Sequence, residues 1–431
     1  MTNHAALARE IFYAALAAVD PFTAVQAELE QARTFFRVGD FTRLLVTGFG
    51  KASWRMAAAC EHLLGDLITD GIIVTKYGHT TASNGLAKIA TYEAGHPVPD
   101  ENGVTATRAI VELVRGADER TLILCLISGG GSALLVAPRE GITLRDKQGL
   151  TDLLLKSGAT INELNAVRKH LSMVKGGRLA QIAHPASIIS LIVSDVIGDS
   201  LDVIASGPTA PDMSTYSDAC AILEKYGLAD RVPKAVLSTL EQGGQGKTAE
   251  TPKQGDDIFE NVQNIIVASN GTALAAAKEK AEKLGFHTSI LSSTLEGEAR
   301  EVARSLAHHI RTANLTRPTC MLSGGETTVM VRGCGVGGRN TELALAFSLE
   351  IEGIDGITLL SAGTDGTDGP TDAAGAVVDG HTISRARAIN LDAKAYLDDN
   401  DSYTFFRKTD ELLVTGPTGT NVMDIQIILA E

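Results

Sequence analysis

The sequence is poor in the residues that would place it in several common classes. Only 4% of its residues are aromatic, with one tryptophan, and five cysteines (Cys60, Cys125, Cys220, Cys320 and Cys334) are scattered without a C-x-x-C pair. An odd, dispersed set of thiols excludes a disulfide framework or a zinc cluster of that type and predicts free cysteines in a reducing compartment. No run reaches the ~18 to 20 apolar residues of a membrane span. The opening "MTNHAALAREIFYAALAAVD" lacks the basic start and long apolar stretch of a secretory signal and reads as a short amphipathic helix, so the cytoplasm is the expected location. Basic charge is also scarce. With 38 Lys and Arg against 52 Asp and Glu, the formal net charge of −14 argues against nucleic acid as a partner. An anionic substrate then needs a local pocket that overrides the global sign.

Glycine and alternating pattern are what the chain has in abundance. Its 431 residues are 44% hydrophobic and include 43 glycines, a length too great for one compact core and a composition suited to tight strand-to-helix turns. From "RLLVTGFG" onward, short β-rich runs ("GIIVTKY", "KIATYEA", "TLILCLISGGG", "SIISLIVSDV") alternate with helical patterns, as in parallel β-α-β units. The polar stretch 241–257, "EQGGQGKTAETPKQGDD", reads as a linker or surface loop. It divides a first α/β domain over 1–240 from a second over 258–431, in which a further alternating series begins with "NIIVASNGTALAAAKEKAEKLG". Both are expected to be three-layer α/β/α domains.

Six Gly-rich loops follow apolar runs: "GFGKAS", "ISGGGSALL", "LSGGETT", "GVGGRNTE", "SAGTDGTDG" and "TGPTGTN". One such loop is usually a turn. Six, several with hydroxyls, favour a site for a polyanion. In "GFGKAS", Gly48 and Gly50 turn the chain from strand to helix, where backbone N–H groups and the helix dipole favour an anion, and Lys51 adds a full charge. The spacing is not that of a Walker A loop. It resembles G-x-G-x-x-G with Ser53 last, but the strand "GIIVTKY" offers Lys76 where a dinucleotide fold wants an acid for the ribose.

Carboxylates stand at other strand ends. Asp195 and Asp199 follow "SLIV", with Asp202 close behind, as Mg²⁺ on a nucleotide requires, although aspartates also cap turns. Arg339 and Asn340 precede an apolar-periodic helix, and Arg339 suits bidentate contact with a carboxylate or phosphoryl group. Glu326 in "SGGET" and Asp365, Asp368 and Asp372 add acids. Arg168, Lys175 and Arg178 share a helical face if Gly176 and Gly177 leave the helix intact, and such a face suits an anion or bulk solvent equally. His96 in the turn-dense loop "GHPVPDENG" is open to substrate contact, although a lone histidine is more often structural, and no Ser-His-Asp triad is proposed.

As an ordered set, "GFGKAS", "GHPVPDENG", "SGGGSALL", "LNAVRKHLSMVKGGRLA", "SDVIGDSLDVIASGPT", "SGGETTV", "GGRNTELALA" and "SAGTDGTDGPTDAAGA" resembles the class II glycerate 2-kinase family from about residue 5 to the C-terminus. The resemblance implies a Rossmann-like domain with a mainly parallel sheet, then a smaller mixed-sheet MOFRL-type domain, with the active site in the cleft between. It implies ATP-dependent, Mg²⁺-assisted phosphorylation of the 2-hydroxyl of glycerate. Lys51, Asp195 and Arg339 would then be catalytic. Gly48, Gly50, Ser128, Gly129, Gly130, Gly131, Ser132, Gly324, Gly325, Glu326 and Asn340 would contact nucleotide, with Asp195 and Asp199 on the metal. The partners would be glycerate and ATP, with no membrane, and a homodimer is allowed. Some members of this family are labelled hydroxypyruvate reductase. An NAD(P)H-dependent reductase and a non-catalytic nucleotide-binding module are therefore the competing readings.

Overall fold

In the computed structural model, which describes residues 4–80, 85–313 and 316–431, the chain forms two compact α/β units. One comprises 21–194 and 199–267. The other comprises 1–20, 195–198 and 268–431. Residues 1–3 of the expected N-terminal helix lie outside the described residues.

The first unit holds strands β1 (Arg43–Phe49), β2 (Ile68–Lys76), β3 (Ile89–Ala94), β4 (Thr121–Ile127), β5 (Ser187–Val193) and β6 (Val262–Ala268), in the order β3-β2-β1-β4-β5-β6. The pairs β1 with β2, β1 with β4, β2 with β3, and β4 with β5 are all parallel. Strands β1 and β4 are buried along nearly their whole length, as strands covered on both faces are, and "TLILCLI" is buried at every position. Helices follow the strands: Ser53–Leu64 after β1, and Glu101–Arg115 after β3, where Asp100 caps by accepting from the Gly103 N–H at 3.0 Å. The order reverses between β1 and β4. In a doubly wound sheet this reversal opens a crevice at the carboxyl ends of the two strands, where ligands bind.

The two loops at that crevice interlock. The Ser128 N–H donates to Phe49 O at 3.1 Å, Lys51 N–H to Gly129 O at 2.8 Å, and Ala52 N–H to Ser128 Oγ at 3.0 Å. Gly50 has φ +129°, and a Cβ there would stand 2.2 Å from Ser128 Oγ, so only glycine fits.

The turn after β5 is strained. Asp199, Ala205 and Ser206 hold φ values of +55°, +50° and +63°. A Cβ on Gly131 would stand 2.8 Å from Ala205 Cβ, and Ser206 Oγ meets Ser132 Oγ at 2.8 Å and donates to Asn165 Oδ1 at 3.1 Å. The strained turn thus clamps the loop that follows β4. The expected basic helical face does not form. The helix Ile161–His170 ends before Lys175, and Gly176 and Gly177 turn the chain at φ +58° and +79° before a new helix, Arg178–Ala183.

The second unit holds β7 (His287–Glu298), β8 (Thr319–Thr328), β9 (Ile357–Gly363), β10 (Gly375–Asp379), β11 (Leu412–Leu413) and β12 (Asp424–Ala430), in the order β11-β10-β9-β12-β8-β7. Strand β12 runs antiparallel to both β8 and β9, and β7 runs parallel to β8, so the sheet is mixed as expected. Helices Ala299–Thr312 and Arg339–Glu350 bury Leu306, Ile310 and Phe347 in a core with Phe405 and Phe406. Helix His4–Ala18 packs on helix Asn270–Lys283 and on β9 and β12.

The expected boundaries differ from these units. The N-terminal helix belongs with the second unit, because its apolar face (Ala8, Ile11, Phe12, Ala15) is buried there. The stretch 241–257 is no free linker. Its first residues close the helix Lys234–Gly244, and Glu250 accepts from the Tyr216 N–H at 2.8 Å while Thr251 Oγ1 donates to buried Asp212 at 2.9 Å. Polar composition concealed a segment held by charge-assisted hydrogen bonds.

Replacing Gly50 by alanine is expected to cost about 2 kcal/mol or more of unfolding free energy in urea titrations, because the new methyl meets Ser128. At Gly78, where φ is +74° and no atom lies within 4 Å of the added Cβ, the same change should cost only about 1 kcal/mol.

Candidate active site

In the first unit the structure brings together Gly48, Gly50, Lys51 and Ser128–Ser132. The turn after β1 engages four of its own amides: Gly50 N–H on Val74 O at 3.2 Å, Lys51 N–H and Ala52 N–H on the β4 loop, and Ser53 N–H on Gly50 O at 3.2 Å. What this turn offers an anion is therefore side-chain charge more than a row of open N–H groups. In the β4 loop, by contrast, the N–H groups of Gly129, Gly130 and Ser132 meet no acceptor among the described residues. Gly130, at φ +83°, lets the loop pass so close that a Cβ would stand 2.9 Å from His96 Cδ2 and 3.4 Å from Lys51 Cγ.

The half-buried His96 ring thus shares a corner with Lys51. Burial, reinforced by Lys51, Lys76 and His79, pushes its pKa down to about 4, so the imidazole is neutral at pH 7. His79 Nδ1 lies 3.2 Å from Lys51 O, and burial together with Lys76 and Lys51 holds its pKa down as well. Two lysines and two neutral histidines make this corner receptive to negative charge. Sequence reading left His96 between substrate contact and a structural role, since nothing local in "GHPVPDENG" shows that Gly130 will meet it.

In the second unit, a cavity of about 700 Å³ is lined by Glu326, Arg339, Asp365 and Asp368 and by the apolar Val329 and Val331. Arg339 opens the helix Arg339–Glu350 and grips Asp424 with two donors, Nε at 2.5 Å and Nη2 at 3.0 Å, while Nη1 pairs with Glu326. Asp424 is buried. Burial pushes its carboxyl up to about 6 against the pull of Arg339, so the pair is ionised at neutral pH. The buried bidentate contact fixes the plane of the guanidinium, and Nη1 faces the more exposed Glu326, the partner an incoming anion would displace. Sequence reading missed Asp424, which sits at the start of an apolar strand without any motif around it.

Other residues expected to contact nucleotide have structural duties. Asn340 is buried, accepting from Ser361 Oγ at 2.7 Å and approaching Asp368 at 3.4 Å. Asp368 caps the helix by accepting from the N–H groups of Asn340 and Thr341 at 2.9 and 2.8 Å, so the positive helix end already holds a carboxylate. Gly324 and Gly325 serve sheet packing: a Cβ on Gly324 would stand 2.1 Å from Asn270 Oδ1, and one on Gly325 2.2 Å from Leu295 O. Asp195 follows β5 in the half-buried segment 195–198, and Asp199 stands in the turn Ile197–Asp199. Asp202 is engaged by Lys169 at 2.9 Å. Among the described residues no cluster of three or more His, Cys, Asp or Glu forms a ready metal cage.

The description "Domain of unknown function (DUF4147)" applies to a family model matching residues 7–241, and the MOFRL family model matches 319–424. The chain is 45% identical to a D-glycerate 2-kinase of Thermotoga maritima, covering 98% of this chain and 97% of that protein. It belongs to the class II glycerate 2-kinase family. A crystal structure of glycerate kinase from Thermotoga maritima superposes with a TM-score of 0.90 at 44% identity, over 100% of both chains. Another relative, from Agrobacterium vitis, is named putative hydroxypyruvate reductase and is 44% identical over 98% of this chain and 93% of its own length. Both labels within the family thus occur at similar identity, and the residues of the site must decide between them.

The depressed His96 pKa has a consequence for stability. Between pH 6.5 and about 4 the unfolded chain takes up a proton at this residue that the native state refuses. The stability that neutral His96 leaves intact above pH 6.5 is therefore lost as pH falls toward 4. Urea unfolding from pH 7 to 4.5 should show a shallower acid decline for His96→Gln than for the wild type.

Proposed function

We propose that this chain is a glycerate 2-kinase, transferring the γ-phosphoryl group of ATP to the 2-hydroxyl of glycerate to give 2-phosphoglycerate and ADP. The observation that carries the reading is the corner where Lys51, Lys76, His79 and His96 meet the open amides of the β4 loop at the topological switch point. Positive charge and N–H donors without a general base suit phosphoryl transfer, in which positioning and charge neutralisation supply most of the catalysis. Lys51 neutralises charge on the moving phosphoryl group, and Arg339, held rigid by Asp424, does the same for a phosphoryl or carboxylate oxygen.

Mg²⁺ is part of this proposal. Magnesium bound to a nucleotide needs only one or two protein carboxylates, the remaining positions being water and phosphate. Asp195 or Asp199, in the stretch of sequence after β5, would by this reading supply that ligand. The ion would neutralise charge on the nucleotide phosphates, and one of the two aspartates would orient the 2-hydroxyl.

The reductase reading has less support. Lys76 ends β2 where a ribose would need an acid, and Ser53, at the third position of the glycine fingerprint, spends its hydroxyl on Gly50 O at 2.8 Å and Val74 O at 3.1 Å.

Purified protein supplied with glycerate and ATP-Mg²⁺ is expected to form ADP and 2-phosphoglycerate, identified by ³¹P NMR. Oxidation of NADH or NADPH by hydroxypyruvate, with no ADP formed from glycerate, would reverse the assignment. Lys51→Ala should lower kcat/KM by about a hundredfold or more, equivalent to ~3 kcal/mol of transition-state binding, with Tm unchanged. Equal kinetics in variant and wild type would leave Lys51 as a surface charge.

A further inference from the structure

Three basic side chains of the first unit converge without a counter-ion. Lys175 is fully buried, and its Nζ donates to Ser132 O at 2.8 Å, with Ala205 O at 3.5 Å. Arg168 Nη2 reaches the same Ser132 O at 3.5 Å. Lys147, 6% exposed on the helix Leu144–Lys156, has an Nζ without a hydrogen-bond partner. Among the described residues no carboxylate pairs with any of the three. Their effects on one another are repulsive: Arg168 and burial hold Lys147 down to about 7, and Arg168 and Lys147 add to the burial that lowers Lys175.

The fold does pair buried lysines elsewhere. Lys169, next to Arg168 on the same helix, sits between Asp202 at 2.9 Å and Asp212 at 3.2 Å. An unpaired buried ammonium is costly, so burial drives Lys147 and Lys175 toward the neutral amine, and the three groups go without the compensation found one residue away. Such a cost is characteristic of sites kept for a ligand. Approach to the cluster is by way of Arg168 and Ser132, because Lys175 and the Lys147 Nζ are enclosed. Arg168 and Ser132 are only half-buried, and Ser132 ends the Gly-rich loop whose amides stand open.

We propose that Lys147, Arg168 and Lys175 form a receptor for one oxyanion, the carboxylate or a phosphate of a small substrate, seated beside Ser132. The inference rests on the kinase reading for the identity of the substrate, and it concerns a different flank of the β4 loop from Lys51. The anion supplies the charge that the fold withholds. Arg168 and Lys175 direct it by their fixed contacts to Ser132 O, and Lys147 contributes its unpartnered Nζ.

The test needs binding and no turnover, so its failure is distinct from a failure of the kinase assignment. Tm and calorimetric affinity are measured on the full chain with glycerate and, separately, with inorganic phosphate, in a buffer free of other oxyanions. Lys147→Met, which removes a buried charge, is expected to melt higher than the wild type without ligand and to bind at least one of the two probes tenfold or more weaker. A loss confined to glycerate assigns the site to a carboxylate, and one confined to phosphate assigns it to a phosphoryl group. A variant that melts at or below the wild type and keeps both affinities overturns the proposal. If Lys147→Met does not fold, the same titrations on Arg168→Gln decide: a tenfold loss supports the receptor, and unchanged affinities overturn it.

Discussion

At the end of β1 the backbone passes so near the loop after β4 that Gly50 has room for nothing larger than hydrogen. From that contact follow the hydrogen bonds of Lys51 to Gly129, of Ala52 to Ser128 and of Ser128 to Phe49. Two loops from strands far apart in sequence are locked into one surface at the place where the sheet order reverses. Lys51 and Gly130 then have fixed positions, and His96 is drawn into the same corner. The chemistry assigned to this unit depends on that steric constraint more than on any individual charge.

The two units solve the problem of positioning charge differently. In the first, cations stand together with little compensation, and the cost appears as depressed histidine and lysine pKa values. In the second, the two arginines that reach buried carboxylates are matched: Arg339 by Asp424 and Glu326, and Arg300 by Glu342 at 2.7 Å. A matched arginine is rigid and ready to exchange its exposed partner. An unmatched cluster is held in readiness for an external anion. Backbone strain occurs in both units, at Ala205 and Ser206, which clamp the β4 loop of the first, and at Asn390, Asn400, Asp410 and Met423 in the second.

The alternation of apolar runs with helical patterns was enough to assign the α/β class, a parallel first sheet and a glycine-rich strand-end site, because those properties follow from local period and turn chemistry. The set of loop motifs was enough to place the chain in its family. Sequence also located Lys51 at a strand-to-helix turn and Arg339 at the start of a helix, since glycine, charge and helical period are written in consecutive residues. What it could not read was non-local. Gly324, Gly325 and Asn340, expected to contact nucleotide, also pack against neighbours distant in the chain, Asn270, Leu295 and Ser361.

Only the tertiary structure could decide which charges meet. Asp424 finds Arg339 across 85 residues, and Lys175 and Arg168 meet Ser132 across 43 and 36. Burial, which separates a solvated basic stripe from a costly unpaired cluster, is a property of the packed chain. The N-terminal helix gives the same lesson, since its apolar stripe could be read from its period, but the surface that buries it is built by residues beyond 268. Local pattern set what each segment would be. Long-range packing set what each side chain would touch, because the free energy of a buried charge or a close glycine depends on atoms that adjacent residues do not supply.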